Sequence, residues 1–211
     1  MNPTIEQLKQ ADKYDLIAEP RHAHIKEFIL TQAQKNSMVI RIYMIYQLVM
    51  VLIGIFFLAR AVVLVLKNLY GPLFFTALAV IISFSVLIVV HEFLHGLALK
   101  IEGAPRVSYG GNIKKFIFYA EADQFVMGRK QFEFVALAPF ILIKTISLTG
   151  IFLFFNVPAV YFFIILMCLH SLFCAGDMAL LAFFYEYKSS EVYTYDSKEE
   201  GKSYFYKAKD L

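Results

Sequence analysis

Cysteine, tryptophan and charge are all scarce in this 211-residue sequence. It holds two cysteines and no tryptophan, and 18% of its residues are charged. Cys168 and Cys174 share one apolar stretch in which a bridge is implausible, so a disulfide-stapled secreted module is excluded. A net charge of +3, spread along the chain, excludes a nucleic-acid binder. There is no internal repeat and no low-complexity linker. What the chain has in excess is apolar surface: 59% of residues are hydrophobic and 17% aromatic. Soluble domains run nearer half apolar and a quarter charged. A disordered chain would leave far too much of this surface in water. The composition is that of a membrane protein of one domain, with at most a small appendage.

Residues 1–37 are mixed polar, with charges at Lys9, Asp12, Lys13, Asp15 and Glu19, and lack the short apolar core of a signal peptide near Met1. Four long apolar segments follow, at about 39–66, 73–99, 132–155 and 158–185. Each exceeds the ~20 residues that cross a hydrocarbon core as helix, the one state in which an isolated span satisfies its own backbone. Short connections ending in Tyr70-Gly71-Pro72 and Asn156-Val157-Pro158 pair the helices as two tight hairpins. The basic residues set the orientation. Lys9, Lys13, Arg21, Lys26, Lys35 and Arg41 precede or open the first span, and Lys100, Arg106, Lys114, Lys115, Arg129 and Lys130 lie in the middle connection. The C-terminal tail adds more, the first connection has only Arg60 and Lys67, and the third has none. Both termini and the middle connection are therefore expected in the cytoplasm, and the size and orientation suit a bacterial inner membrane. The predicted fold is an α-helical membrane protein: a cytoplasmic N-terminal segment (1–37), a four-span domain (38–185) and a cytoplasmic tail (186–211). Two small cytoplasmic hairpins are expected. In one, about 105–122, Arg106–Tyr109 and Phe116–Tyr119 flank a Gly110-Gly111-Asn112 turn. In the other, Val192–Tyr195 and Tyr204–Tyr206 flank Lys198-Glu199-Glu200-Gly201.

Near the end of the second segment the sequence reads His91-Glu92-Phe93-Leu94-His95, an HExxH pattern on a predicted helix. Residues four apart share a helix face, so both imidazoles can meet one metal ion. Glu92 lies beside them, able to reach a water without being a ligand. This is the pattern of a zinc hydrolase, in which the metal acidifies a water and polarises a carbonyl while the glutamate moves the proton. Ionisable side chains at mid-bilayer cost about 3 kcal/mol each on insertion scales, so three within five residues demand a reason.

A catalytic zinc needs a third protein ligand and an open position. Asp177, in Cys174-Ala175-Gly176-Asp177, is the candidate. It lies ~29 Å along its helix from Pro158, and His91 lies ~27 Å from Leu73, so both reach one level about two turns short of the cytoplasmic surface. Bound to zinc, a buried aspartate is neutralised; alone it would be costly. His170 shares the face of Asp177 but falls ~10 Å deeper, near Lys144, and a structural polar pair of the two is expected, with His170 as a ligand the lesser alternative. Cys174 shares that face as well and is chemically able to bind zinc, though a free cysteine is commonly a small buried hydrophobe. Glu102, Glu121, Asp123 and Glu133 fall in the middle connection, where a solvated carboxylate is the default and one leaning over the site is the alternative.

His91-Glu92-Phe93-Leu94-His95 on one span and Gly176-Asp177 on a later one resemble the site-2 protease class of intramembrane zinc metallopeptidases. They are most similar to a small bacterial branch of zincin membrane peptidases, in which four spans are typical and a proline like Pro139 opens the span between the two ligand helices. The resemblance covers roughly residues 38–185. Site-2 proteases carry Asp-Gly preceded by an Asn/Pro motif, whereas here glycine precedes the aspartate and Met178 follows. The resemblance implies proteolysis of membrane-embedded or membrane-adjacent peptides, with one Zn²⁺ on His91, His95 and Asp177 and Glu92 as general base. It also implies that the 105–122 hairpin offers a strand edge to an unwound substrate. A di-iron protein would need a second Glu-x-x-His and two further glutamates, which the spans lack. A four-span transporter without a repeat is a weaker fit. The remaining alternative is a catalytically inactive metal-binding scaffold. The expected partners are the lipid bilayer and a membrane protein or peptide substrate, and the sequence is silent on oligomeric state.

Overall fold

A computed structural model describes residues 2–35, 37–112 and 117–209. The chain is mostly helical, with two small sheets. A short helix α1 (Ile5–Leu8), strand β1 (Tyr14–Ala18) and helix α2 (Ile25–Ala33) lead to the long helix α3 (Met38–Val65). Helices α4 (Gly71–Ser83) and α5 (Val86–Ile101) follow, then strands β2 (Ser108–Asn112), β3 (Ile117–Glu121) and β4 (Met127–Gly128). Helices α6 (Arg129–Leu153), α7 (Val160–Phe173) and α8 (Ala175–Glu186) precede the last strands, β5 (Val192–Ser197) and β6 (Lys202–Ala208). Contacts divide the chain into two units. One is Arg41–His91 with Ala138–Ala175; the other is Met1–Ile40, Glu92–Leu137 and Gly176–Leu211.

The first unit is the apolar one. Helix α3 contains no acidic residue, and Ile45, Leu48, Leu52, Ile55 and Phe56 along it are exposed. A helix that is hydrophobic all round and exposed is one dressed for lipid. Its inner face packs Met50 and Ala61 against Val160, Tyr161, Ile164, Met167 and Cys168. Gly54 is small where it meets Cys168, whose Cβ would stand 3.4 Å from an added methyl. Helices α3 and α6 are each long and apolar enough to cross a membrane, and the total rises to four if each bent pair, α4 with α5 and α7 with α8, is one span. The predicted segment 39–66 is thus α3, and 132–155 is α6, begun three residues earlier. The predicted segments 73–99 and 158–185 are each interrupted, the first after Ser83 and the second at Cys174. At the first break Ser85 Oγ donates to the carbonyl of Ile81 at 2.6 Å, a back-bond that bends helices. The rings of Phe84 and Phe173 meet edge to face across 5.5 Å, so the two breaks lie side by side. Lys144 does not pair with His170 as expected. Its ammonium donates to the hydroxyl of Tyr46 and lies 4.9 Å and 5.5 Å from the ring centres of Tyr46 and Phe140, which offer aromatic faces to a desolvated cation.

The second unit carries the sheets. Four antiparallel strands run in the order β1-β6-β5-β4. The expected tail hairpin is β5–β6, closed over a turn in which Gly201 takes φ +62°, a conformation that glycine adopts without strain. Alternation along β5 and β6 separates two faces. Val192 and Phe205 pack on Phe183 and Phe184 of α8 together with Phe28 and Phe132, while Tyr195 and Tyr206 pack on Leu8. The N-terminal segment is part of this sheet, since β1 pairs with β6.

The predicted hairpin at 105–122 is the separate two-stranded sheet β2–β3. Its strands differ from the expectation: Gly110, Gly111 and Asn112 belong to β2, and Arg106 and Val107 precede it. The reason is visible at Gly110. It sits opposite Tyr119, whose ring lies within 2.5 Å of where a Cβ would be, so glycine makes room for the ring inside the strand. The expected strand start at Phe116 lies outside the described residues. After β3, Asp123 accepts the backbone N–H of Lys198 at 2.8 Å, and Gln124 N–H bonds the carbonyl of Asp196 at 2.9 Å, tying this hairpin to β5.

His22 stands at the same junction, 3.8 Å from an Asp196 oxygen and 3.9 Å from a Glu121 oxygen, with Lys198 3.7 Å from Glu121. Contact with Asp196 raises its pKa above the ordinary imidazole value, aided by the charge of Glu121 and opposed by partial burial. A histidine held above its unfolded value contributes its stabilisation fully below that value, about 6.5, and loses it as pH rises through the folded one. Wild type is therefore expected to melt higher than His22→Gln at about pH 6 and to lose that margin by about pH 9. A margin that widened toward alkaline pH in thermal unfolding would overturn the assignment.

Candidate active site

Helix α5 carries the HExxH residues, with His91 and His95 buried and Glu92 half-buried. The four-residue spacing puts the two imidazoles one turn apart on a continuous helix. His95 is fixed from behind, because its Nδ1 lies 2.9 Å from the carbonyl of Val135 on α6. A carbonyl only accepts, so Nδ1 carries a proton and Nε2 is the nitrogen that would turn to a metal. The sequence explains why that carbonyl is available. Pro139 lies inside α6 four residues later and has no N–H to close the helical bond to residue 135.

The second nitrogen of His95 faces a carboxylate: Nε2 stands 3.3 Å from Asp177 Oδ1. Two donors bound at 2.0–2.1 Å to one tetrahedral zinc stand about 3.3–3.4 Å apart. Asp177 owes its place to the break at Cys174. Helix α8 restarts at Ala175, which sets Asp177 in the first turn, where an acidic side chain is favoured by the helix dipole. Two imidazoles and one carboxylate, His91, His95 and Asp177, are a donor set suited to zinc with a position left open.

His91 has a neighbour that the sequence did not reveal. Its Nδ1 lies 3.0 Å from Nε2 of His170 on α7, a residue with no exposed surface. Cys174 Sγ lies 3.7 Å and 3.8 Å from the two ring nitrogens of His170. Of the acidic residues of the middle connection, Glu121 accepts from Ser108 at 3.0 Å, Asp123 holds Lys198, and Glu133 accepts the hydroxyl of Tyr185 at 3.0 Å. Those three serve the sheet and α8. The β2–β3 sheet reaches the HExxH helix through Tyr109, whose hydroxyl lies 2.0 Å from where a Cβ on Gly96 would be. Only glycine after His95 admits this approach.

A known family covers this region. The family described as "Putative zincin peptidase" matches residues 84–192, more than half of the chain. The chain belongs to that family. Zincin membership indicates a zinc metallopeptidase, and the matched stretch runs from the break before α5 to the start of β5, taking in the HExxH residues, Val135, Pro139, His170 and Asp177. No curated protein and no solved structure matches the chain.

The proline of this zincin gives a direct test. Alanine at position 139 restores an N–H aimed at the carbonyl of Val135 and removes a residue that costs an ideal helix interior about 3 kcal/mol. Pro139→Ala is expected to keep or raise thermal stability while weakening zinc binding about tenfold, measured by chelator competition. Unchanged zinc affinity would show that the Val135 carbonyl serves both donors at once.

Proposed function

We propose that this zincin is an intramembrane zinc metalloprotease, related to the site-2 class, that hydrolyses peptide bonds of membrane-embedded or membrane-adjacent substrates. The observation that carries the proposal is the 3.3 Å approach of His95 Nε2 to Asp177 Oδ1, with the far nitrogen of His95 tied to a backbone carbonyl. His91, one turn earlier on α5, supplies the third donor, and one zinc per chain is expected. Zinc bound there would supply a Lewis acid that makes water nucleophilic near neutral pH and polarises the scissile carbonyl. Glu92 takes the proton of the attacking water and passes it to the leaving amine. The four segments are read as four bilayer crossings, with both termini and the β-strands on the cytoplasmic side of a bacterial inner membrane, so the site lies near that surface.

The β2–β3 pair supports a mode of substrate entry. A peptide added to an edge of this two-stranded sheet is held extended, close to the helix that carries the ligands, because Tyr109 rests on Gly96. Proline at Val107, one residue before β2, is expected to abolish turnover and leave zinc content intact; cleavage at the wild-type rate would remove this mode.

Metal analysis and cleavage of a fluorogenic transmembrane peptide in liposomes test the whole proposal. Wild type is expected to hold about one zinc, and His91→Ala and Asp177→Ala to lose it. Glu92→Gln is expected to keep zinc while turnover falls about 10²–10⁴-fold. A metal-binding scaffold would show no loss of any function on Glu92→Gln, and zinc retained in Asp177→Ala would sink the ligand set.

A further inference from the structure

His91, His170 and Cys174 form a second buried cluster, with one ligand atom from each lying within 4.8 Å of the others. Two chemistries fit such a group: a second metal site, or a set of hydrogen bonds and packing behind the first. The distances separate them. His91 Nδ1 and His170 Nε2 are 3.0 Å apart, the length of an N–H···N hydrogen bond. Two nitrogens sharing a tetrahedral zinc would stand about 3.3–3.4 Å apart. The sulfur of Cys174 is nearly equidistant from the two nitrogens of His170, at 3.7 Å and 3.8 Å, and so lies beside the ring rather than at the end of one lone pair.

We propose that His170 is the positioning residue of the metal centre: its Nε2 accepts the Nδ1–H of His91 and fixes the tautomer that leaves His91 Nε2 for zinc. This rests on the ligand set proposed above. It also gives the two histidine ligands the same construction. The carbonyl of Val135 holds Nδ1 of His95, and His170 holds Nδ1 of His91. A histidine ligand whose other nitrogen is tied in this way is oriented and made more basic. The bond also accounts for His170 itself, a wholly buried imidazole on an apolar helix whose polar edge is costly to bury without a partner. Cys174, one turn after His170, packs against the ring and sets its plane.

Zinc affinity, read by chelator competition on purified full-length protein, tests the assignment. His170→Ala is expected to weaken zinc binding about 10–100-fold. His170→Gln, whose amide oxygen reaches the place of Nε2 and accepts a hydrogen bond, is expected to restore most of it. Cys174→Ala is expected to stay within about threefold of wild type, because its sulfur is not a ligand. Equal affinities of wild type and His170→Ala would overturn the proposal while leaving the ligand set standing. A wild type without zinc would overturn both. Two further readouts do not depend on His170→Ala folding. Imidazole ¹⁵N shifts of the zinc-loaded wild type should show His91 protonated at Nδ1, and an unprotonated Nδ1 refutes the proposal. The cobalt-substituted wild type should lack a thiolate-to-cobalt charge-transfer band, and its presence would make Cys174 a ligand and the cluster a metal site instead.

Discussion

The hydrogen bond from His95 to the carbonyl of Val135 is the constraint on which the site is built. In a regular helix that carbonyl accepts the N–H four residues on, and a side chain from another element has to share it. Pro139 removes the competitor. One residue with no donor thereby orients an imidazole on a different helix and turns its second nitrogen toward Asp177. Helix α6 holds none of His91, His95 and Asp177, yet it sets the direction of one of them.

Much of this was legible in the sequence, for identifiable reasons. HExxH is a local pattern whose meaning depends only on helical periodicity, and α5 supplies it. The pairing of Asp177 with the histidine helix was expected from counting residues along two segments, and Asp177 Oδ1 stands 3.3 Å from His95 Nε2. The tail hairpin was legible because alternation and a Gly201 turn are local too. The rest was not local. Nothing in Ser83-Phe84-Ser85 distinguishes a bent helix from a straight one until Ser85 is seen to bond its own backbone. Gly110 reads as a turn residue until Tyr119 is found lying across it. His170 and Lys144 are at similar depth, but depth along a helix does not say which way a side chain points: Lys144 turns to the aromatic pair Tyr46 and Phe140, and His170 turns to His91.

Several polar residues inside the apolar unit are answered by a group that would otherwise be a liability itself. Lys144 has a phenol and two ring faces, Tyr43 donates to the carbonyl of Ser171, and Ser171 donates to the carbonyl of Cys168 at 2.6 Å. Lipid offers no water to make good a missing partner, so these pairings fix side-chain directions more tightly than a soluble core would.

The sheet order carries a consequence for how the molecule is made. Strand β1 ends at Ala18, and the strand it pairs with, β6, begins at Lys202. About 180 residues, including every apolar segment, leave the ribosome between them, roughly 10–40 s at ordinary rates of synthesis. The apolar helices are therefore synthesised while the first strand waits with an open edge. Registration of that edge waits for β6, so a chain that stops short of Lys202 is marked by an unzipped strand at β1.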